Sequence, residues 1–286
     1  MIFSTQVGAY ENIKHFLSVF KSSEAKIRPH FHITGSTGTG KTFLIKSVAQ
    51  ELELPVVEIN AAGITAEGVS GNSLSKALKP LRTSGSQPTI IFIDEFDKLF
   101  LQNGTNTENW VSSVQDEFLK AVEGDSYSVF GDYGNYDTIS LENCLFIFAG
   151  SYGGHNMTKH EDFHKAGLRP EFMGRVPLFM SIPPVDLAEL VSAIPSIKLF
   201  RDYCELFNIN KEEENLMCLA IGDSILERGS KIPVGIRALN SAVHQAFMNS
   251  SLKVPETKPK KEDKPLTFFD DLRARYENLH QTKVNQ

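Results

Sequence analysis

The stretch GSTGTGKT, residues 35–42, decides the fold of this chain. It fits the P-loop pattern, in which two glycines frame four residues and a lysine and a hydroxyl residue follow. The short apolar run HFHIT, residues 30–34, precedes it and suggests a buried strand. The stretch KTFLIKSVAQELEL, residues 41–54, is predicted to form a helix. A strand, a glycine-rich turn and a helix in this order are the context that a P-loop requires.

The loop is expected to bind the phosphates of ATP. Its glycines let backbone N–H groups face phosphate oxygens at the positive end of the following helix. Lys41 would bridge the β- and γ-phosphates, and the Thr42 hydroxyl would bind Mg²⁺. The residues expected to contact the nucleotide are Gly35, Ser36, Thr37, Gly38, Thr39, Gly40, Lys41 and Thr42.

A second motif, IIFIDEFDKL at residues 90–99, contains acidic residues that could carry out hydrolysis. Its β-branched run predicts a strand buried on both faces, and Asp94 and Glu95 follow at the strand end where an α/β sheet binds ligands. Asp94 would hold Mg²⁺ through water, and Glu95 would orient and deprotonate the attacking water. Two acids at a strand end can also be a solvated edge. Ser151, after CLFIFAG, either senses the γ-phosphate or ends a turn.

The fold class is predicted to be α/β, with a large nucleotide-binding domain and a small all-α domain. Strands and helices alternate up to residue 183, including a predicted helix at 73–81, which implies a parallel sheet covered on both faces. After Pro183–Pro184 the apolar spacing indicates helices only. The expected boundaries are 1–183 for the large domain, 184–252 for the helical domain, 253–265 for a flexible linker and 266–286 for an amphipathic C-terminal helix.

Composition argues against several classes of protein. The chain has 286 residues and a net charge of −6, which argues against a nucleic-acid binder that works by bulk electrostatics. Its three cysteines are scattered, so neither a zinc site nor a disulfide framework is indicated. No signal peptide and no apolar run of roughly 18 residues is visible. A cytoplasmic protein without membrane contact is expected.

Four motifs in this order and spacing carry a family resemblance: GSTGTGKT, FIDEFDKL at residues 92–99, GLRPEFMGRVP at 167–177 and GIRALN at 235–240. From about Val7 to Met248 the chain resembles AAA+ ATPases, and within them the ClpX/HslU type of protein unfoldase. The resemblance implies ATP hydrolysis with Mg²⁺ in a ring, most simply a hexamer. In its terms QVGAYENIKHFL, residues 6–17, contacts the nucleotide base.

The resemblance also assigns roles to two arginines. Arg175 matches an arginine finger, which projects into the nucleotide site of the neighbouring subunit and makes hydrolysis depend on assembly. Arg237 matches the sensor arginine of the helical lid, which touches the γ-phosphate within its own subunit. The other interpretation of either residue is an exposed surface charge.

The chain departs from the family at the loops that grip substrate. Val69, in AEGVSGNS at residues 66–73, occupies the position of the family's aromatic pore residue and offers a smaller contact area. Phe130, Tyr133 and Tyr136, in SYSVFGDYGNYDTIS at 126–140, fall where the family has its second pore loop. An ordinary β-hairpin with surface tyrosines explains the same stretch equally well.

Two further departures bear on function. Compared with ClpX, we expect no zinc-binding domain ahead of the ATPase core, and we expect the short segment before GLRPEF to lack the loop that docks ClpX on its peptidase. A motor that remodels or disassembles a protein partner without degrading it is therefore expected. The C-terminal helix either docks on a partner or a neighbouring subunit or folds back on its own ring. The alternatives are a DNA-linked AAA+ ATPase, against which the acidic balance argues, and a nucleotide-controlled assembly switch that recruits an effector.

Overall fold

The computed structural model describes residues 2–64, 73–83, 86–99, 108–130, 135–154, 157, 159–229 and 235–250. It divides into two compact units, Met1–Pro183 and Pro184–Gln286. No helix within these described ranges is long and apolar enough to cross a membrane.

The first unit alternates strands and helices. Its helices are α1 (Val7–Ser22), α2 (Lys41–Glu51), α3 (Leu74–Ala77), α4 (Glu108–Glu123), α5 (His160–Lys165) and α6 (Pro170–Arg175). Its strands are β1 (Phe31–Thr34), β2 (Val56–Asn60), β3 (Thr89–Asp94), β4 (Ser126–Phe130), β5 (Tyr136–Ser140), β6 (Cys144–Gly150) and β7 (Leu178–Ser181).

Five of these strands form one parallel sheet in the order β2-β3-β6-β1-β7. Thr34 pairs with Gly150 and Asn60 pairs with Asp94, so the carboxyl ends of four strands reach the same edge. Every residue of β6 is buried, as expected for a strand with neighbours on both sides and helices on both faces. The predicted parallel sheet flanked by helices is confirmed.

The two faces of the sheet have separate cores because successive strand residues point to opposite sides. Ile90 and Phe92 of β3 pack with α1 and α2 on one face, where Leu44 and Val48 are fully buried. The other face packs Ile91 and Ile93 of the same strand with α4 and a set of aromatic rings. This alternation sandwiches the β3 strand between two apolar layers.

The side chain of His32, on β1, packs among the aromatic rings on the α4 side of the sheet. His32 is fully buried and stacks on Phe179, with ring centroids 5.0 Å apart and planes 7° from parallel. Burial lowers the pKa of His32 to about 3, so the ring is neutral at physiological pH. The rings around it are Phe96, Phe148, Phe163, Phe172 and Phe179.

One predicted helix is shorter than expected. Instead of a continuous helix over 73–81, α3 ends at Ala77 and a 3-10 helix covers Lys79–Thr83. Pro80 is the physical reason, because proline has no N–H to donate and disfavours helical geometry at the residue before it. Ser73 caps the short helix by accepting a hydrogen bond from the backbone of Lys76.

The segment 126–140 forms an antiparallel hairpin of β4 and β5, in which Phe130 lies opposite Tyr136. Tyr136 is exposed, as the hairpin interpretation expected of its tyrosines. The side chain of Phe130, and Val69 and Tyr133 altogether, lie outside the described residues. Their assignment to substrate-gripping loops stays a prediction.

The second unit is helical throughout its described residues. Its helices are α7 (Leu187–Ala193), α8 (Lys198–Leu206), α9 (Lys211–Gly229) and α10 (Ile236–Met248). Phe200, Met217 and Val243 are fully buried, and Tyr203 stacks on Phe247 with centroids 4.7 Å apart. The expected linker at 253–265 and the C-terminal helix at 266–286 lie outside the described residues.

Candidate functional site

The P-loop connects β1 to α2 and depends on its glycines. Gly35 and Gly40 have φ angles of 152° and 85°, values that residues with a side chain rarely adopt. A Cβ on Gly35 would also lie 2.8 Å from the carbonyl oxygen of Ile182. Gly40 is the N-cap of α2 and has no side chain to satisfy the first N–H groups of the helix. Those N–H groups form an anion-binding end of the kind that receives phosphate.

Lys41 lies over this loop. Its Nζ donates hydrogen bonds to the carbonyl oxygens of Gly35, at 2.6 Å, and Ser36, at 3.3 Å. The loop is itself tied down, since Thr39 Oγ1 donates to the Ser36 carbonyl and Gln6 Nε2 donates to the Thr39 carbonyl. The ammonium group is thus held against the backbone that would receive the phosphates.

The hydroxyl of Thr42 and the carboxylate of Asp94 lie in contact, although 52 residues separate them in sequence. Thr42 Oγ1 donates to Asp94 Oδ2 at 2.9 Å, and the backbone N–H of Glu95 donates to Asp94 Oδ1 at 2.9 Å. Hydroxyl and carboxylate oxygens are the ligands that Mg²⁺ prefers. The donor set therefore fits a magnesium ion held between the P-loop and the end of β3.

Glu95 has an unusual backbone conformation. Its φ angle is 57°, in the left-handed region that a residue with a side chain enters at an energetic cost. The next residue, Phe96, is fully buried in the aromatic layer and begins the 3-10 helix Phe96–Leu99. Burial of Phe96 holds the turn and leaves the Glu95 side chain exposed at the sheet edge, where a carboxylate can act on a water molecule.

Asp97 is a residue of the site that the sequence did not reveal. Its side chain is only 1% exposed, and Oδ2 accepts hydrogen bonds from Ser151 Oγ at 3.1 Å and from the backbone of Tyr152 at 3.0 Å. Lys98 Nζ lies 3.6 Å from the same oxygen. Asp97 thus joins the turn after β3 to the residue after β6 and fixes the Ser151 hydroxyl. In the sequence, the position of Asp97 between two apolar residues, Phe96 and Leu99, was the available indication that it is buried.

Replacing Gly150 by alanine is expected to destabilise the fold at this junction. The new Cβ would lie 2.6 Å from Tyr152 Cε2 and 3.0 Å from Asp97 Oδ1. Overpacking of this kind typically costs about 1–3 kcal/mol of unfolding free energy. Urea denaturation measures the change. Gly8→Ala is the matched control, because a Cβ on Gly8 in α1 would meet no atom within 4 Å. Equal stability of the Gly150→Ala protein and the wild type would contradict the packing described.

Arg175 is the last residue of α6, a short helix that begins with Pro170 and is anchored by buried Phe172. The side chain is 61% exposed, and its Nε lies 2.5 Å from Oε1 of Glu123 at the end of α4. Among the described residues this is the ion pair that Arg175 makes. The structure therefore places it outward on α6, paired with α4.

Arg237 lies in the second unit, where it is the second residue of α10 and is exposed. Of the residues expected to form the site, the first unit brings together Lys41 with the P-loop, Thr42 with Asp94, and Asp94 with Glu95. Ser151 is joined to Asp97. The roles assigned to Arg175 and Arg237 remain predictions.

The chain is similar to several known proteins. Residues 31–159 match the model of the AAA family, the ATPase family associated with various cellular activities. The relatives include proteins named ATP-dependent Clp protease ATP-binding subunit ClpX. The one from Bacteroides fragilis is 24% identical, covering 92% of this chain and 74% of its own length. The one from Bacteroides thetaiotaomicron is 26% identical, covering 89% and 73% respectively.

A third ClpX-named relative, from Borrelia duttonii, is 26% identical and covers 85% of this chain and 68% of its own length. These matches extend beyond the P-loop and include both units of the structure. The phosphate loop, the parallel sheet that carries it and the match of residues 31–159 to the AAA family together support an AAA+ ATPase similar to ClpX and indicate ATP hydrolysis.

Proposed function

We propose that the chain assembles into a closed ring, most simply a hexamer, and couples ATP hydrolysis to the remodelling or disassembly of a protein partner. One observation supports the proposal of a ring. Lys41, Thr42, Asp94 and Glu95 gather at one sheet edge, whereas Arg175 is exposed and paired with the end of α4. An arginine presented outward in this way is suited to complete the site of a neighbouring subunit.

Each residue has a distinct part in the proposed reaction. Lys41 and the N–H groups of the P-loop would bind and orient the phosphates, while Thr42 and Asp94 would hold Mg²⁺. When bound, the metal ion would supply positive charge to the phosphate oxygens. Glu95 would accept a proton from the attacking water. The guanidinium of Arg175 from the next subunit would stabilise charge that develops on the γ-phosphoryl group.

Remodelling without degradation is supported by the loops. Val69 gives less contact area than the aromatic residue of ClpX-type pore loops, so a weaker grip on a polypeptide follows. The segment between β6 and α6 is short, and its described part holds a 3-10 helix at Tyr152–Gly154 and the six-residue helix α5. The relatives are named as subunits of a protease, and we propose that this chain acts without one.

Glu95→Gln is the variant that tests the motor. It should bind ATP but not hydrolyse it, and so should retain the protein partner in an ATP-dependent complex that affinity purification and mass spectrometry detect. The matched control is the double variant Lys41→Ala/Glu95→Gln, which should not bind ATP and should release the same partner. If the ATP-locked variant kept full biological activity, the proposal of a remodelling motor would be wrong, and a nucleotide-controlled assembly switch would be favoured.

A further inference from the structure

We propose that Glu123 is a positioning residue for Arg175. By holding the guanidinium at Nε, it directs the two terminal nitrogens outward, toward the γ-phosphate of the neighbouring subunit. This inference rests on the proposed role of Arg175 in the neighbour's site, and adds the group that sets the direction of that arginine.

The contact has the geometry that such a role needs. Oε1 of Glu123 lies 2.5 Å from Nε of Arg175, the nitrogen nearest the backbone among those of the guanidinium. Within the described part of the chain, Glu123 is the acidic residue with which Arg175 makes an ion pair. A contact at Nε restrains the plane of the group and leaves its outer edge, with two N–H₂ groups, available for a phosphate.

Helix α4 holds α6 at both of its ends. At the beginning of α6, Arg169 makes an ion pair with Asp116, and its backbone N–H donates to Gln115 Oε1 at 3.2 Å. At the end of α6, Glu123 pairs with Arg175. Gln115 and Glu123 are eight residues apart, about 12 Å along a helix at 1.5 Å per residue. Helix α4 therefore contacts both ends of the short helix that carries the arginine.

Helices α4 and α6 are both packed on the aromatic core of the first unit. Phe118 of α4 and Phe172 of α6 both pack against Phe96 and Phe148, with ring centroids 5.0–5.9 Å apart. Both helices are thus anchored on the same buried rings, and the Glu123–Arg175 contact lies at their exposed ends. Of the Arg175 side chain 61% is exposed, and of Glu123 39%.

An exposed ion pair of this kind contributes little to stability, because water screens it and two long side chains lose freedom. Its effect should appear in catalysis instead. Without Glu123, the two outermost sp³–sp³ torsions of Arg175, χ2 and χ3, can each occupy three staggered wells, so about a tenth of the molecules would keep the productive orientation. We therefore expect a fall of about tenfold in kcat, with the KM for ATP unchanged.

The test compares steady-state ATP hydrolysis by full-length Glu123→Ala, Glu123→Gln and Asp125→Ala proteins. Glu123→Ala should lose about tenfold in kcat, whereas Glu123→Gln keeps the shape of the side chain and a partly negative oxygen beside Nε and should restore part of the rate. Asp125 is the matched control, since it is an exposed acid two residues away that pairs with Arg28. Its replacement should leave kcat unchanged.

The same series separates this inference from the proposed function. Residual hydrolysis by Arg175→Ala, measured over long incubations, should not fall further when Glu123→Ala is added, because Glu123 acts only through that arginine. If Arg175→Ala is inactive while Glu123→Ala equals the wild type or is faster, the positioning role is wrong and the shared site stands. If Arg175→Ala itself hydrolyses ATP at the wild-type rate, the shared site is wrong.

Discussion

Replacing Lys41 by alanine is expected to abolish ATP binding and, with it, hydrolysis. The ammonium group lies on the P-loop, where it donates to the Gly35 and Ser36 carbonyl oxygens. A hydrogen bond to a charged group contributes about 1.5–3 kcal/mol, so loss of contacts to two phosphates should weaken binding by about 100-fold or more. Isothermal titration calorimetry with ATP measures the change.

Lys46→Ala is the matched control for this variant. Lys46 lies on the same helix, five residues further on, and pairs with Glu58 instead of contacting the loop. Its replacement should leave ATP affinity unchanged. Tight ATP binding by folded Lys41→Ala protein would contradict the assignment of residues 35–42 as the phosphate site.

Replacing Arg175 by alanine is expected to leave ATP binding nearly intact and to remove hydrolysis. The phosphates are bound by Lys41 and the P-loop, whereas a guanidinium acts on charge that appears only in the transition state. An arginine finger accelerates phosphoryl transfer by about 10³–10⁵-fold, and the fall in kcat should be of that order. Parallel measurements of kcat and of ATP affinity separate the two effects.

Arg201→Ala is a suitable control, because Arg201 is an exposed arginine of the helical unit that donates to the Ser196 carbonyl. Its loss should change neither quantity. Hydrolysis at the wild-type rate in the Arg175→Ala protein would mean that Arg175 is a surface charge paired with Glu123 and nothing more.

The sequence predicted those parts of the fold that local patterns determine. The strand, turn and helix around residues 35–42 were identified because the P-loop motif and its flanking apolar spacing are contiguous. The all-helical character after Pro184 followed from apolar periodicity. The strand order could not be predicted in this way. Strand β6 lies between β3 and β1, and the residues that pair are more than 50 positions apart in sequence, so no local spacing specifies the pairing.

The site was predicted where its residues belong to motifs and missed where they act through tertiary contacts. Asp97 reads as one more acid after Asp94 and Glu95, and its burial arises only because the turn after β3 packs on the end of β6. Glu123 reads as an exposed helix charge, and its partner lies 52 residues further along the chain. Pro80 ends the predicted helix at 73–81 early, because proline cannot donate the backbone hydrogen bond that an α-helix needs at that position.

The most direct test of the shared site mixes two inactive proteins, Arg175→Ala and Glu95→Gln. The first keeps Glu95 and the second keeps Arg175, so an interface in a mixed ring is complete where the Glu95 of one meets the Arg175 of the other. Random mixing at equal amounts completes about a quarter of the interfaces of a head-to-tail ring, and hydrolysis should return to a comparable fraction of the wild-type rate. Absence of hydrolysis at every mixing ratio would contradict a nucleotide site built from two subunits.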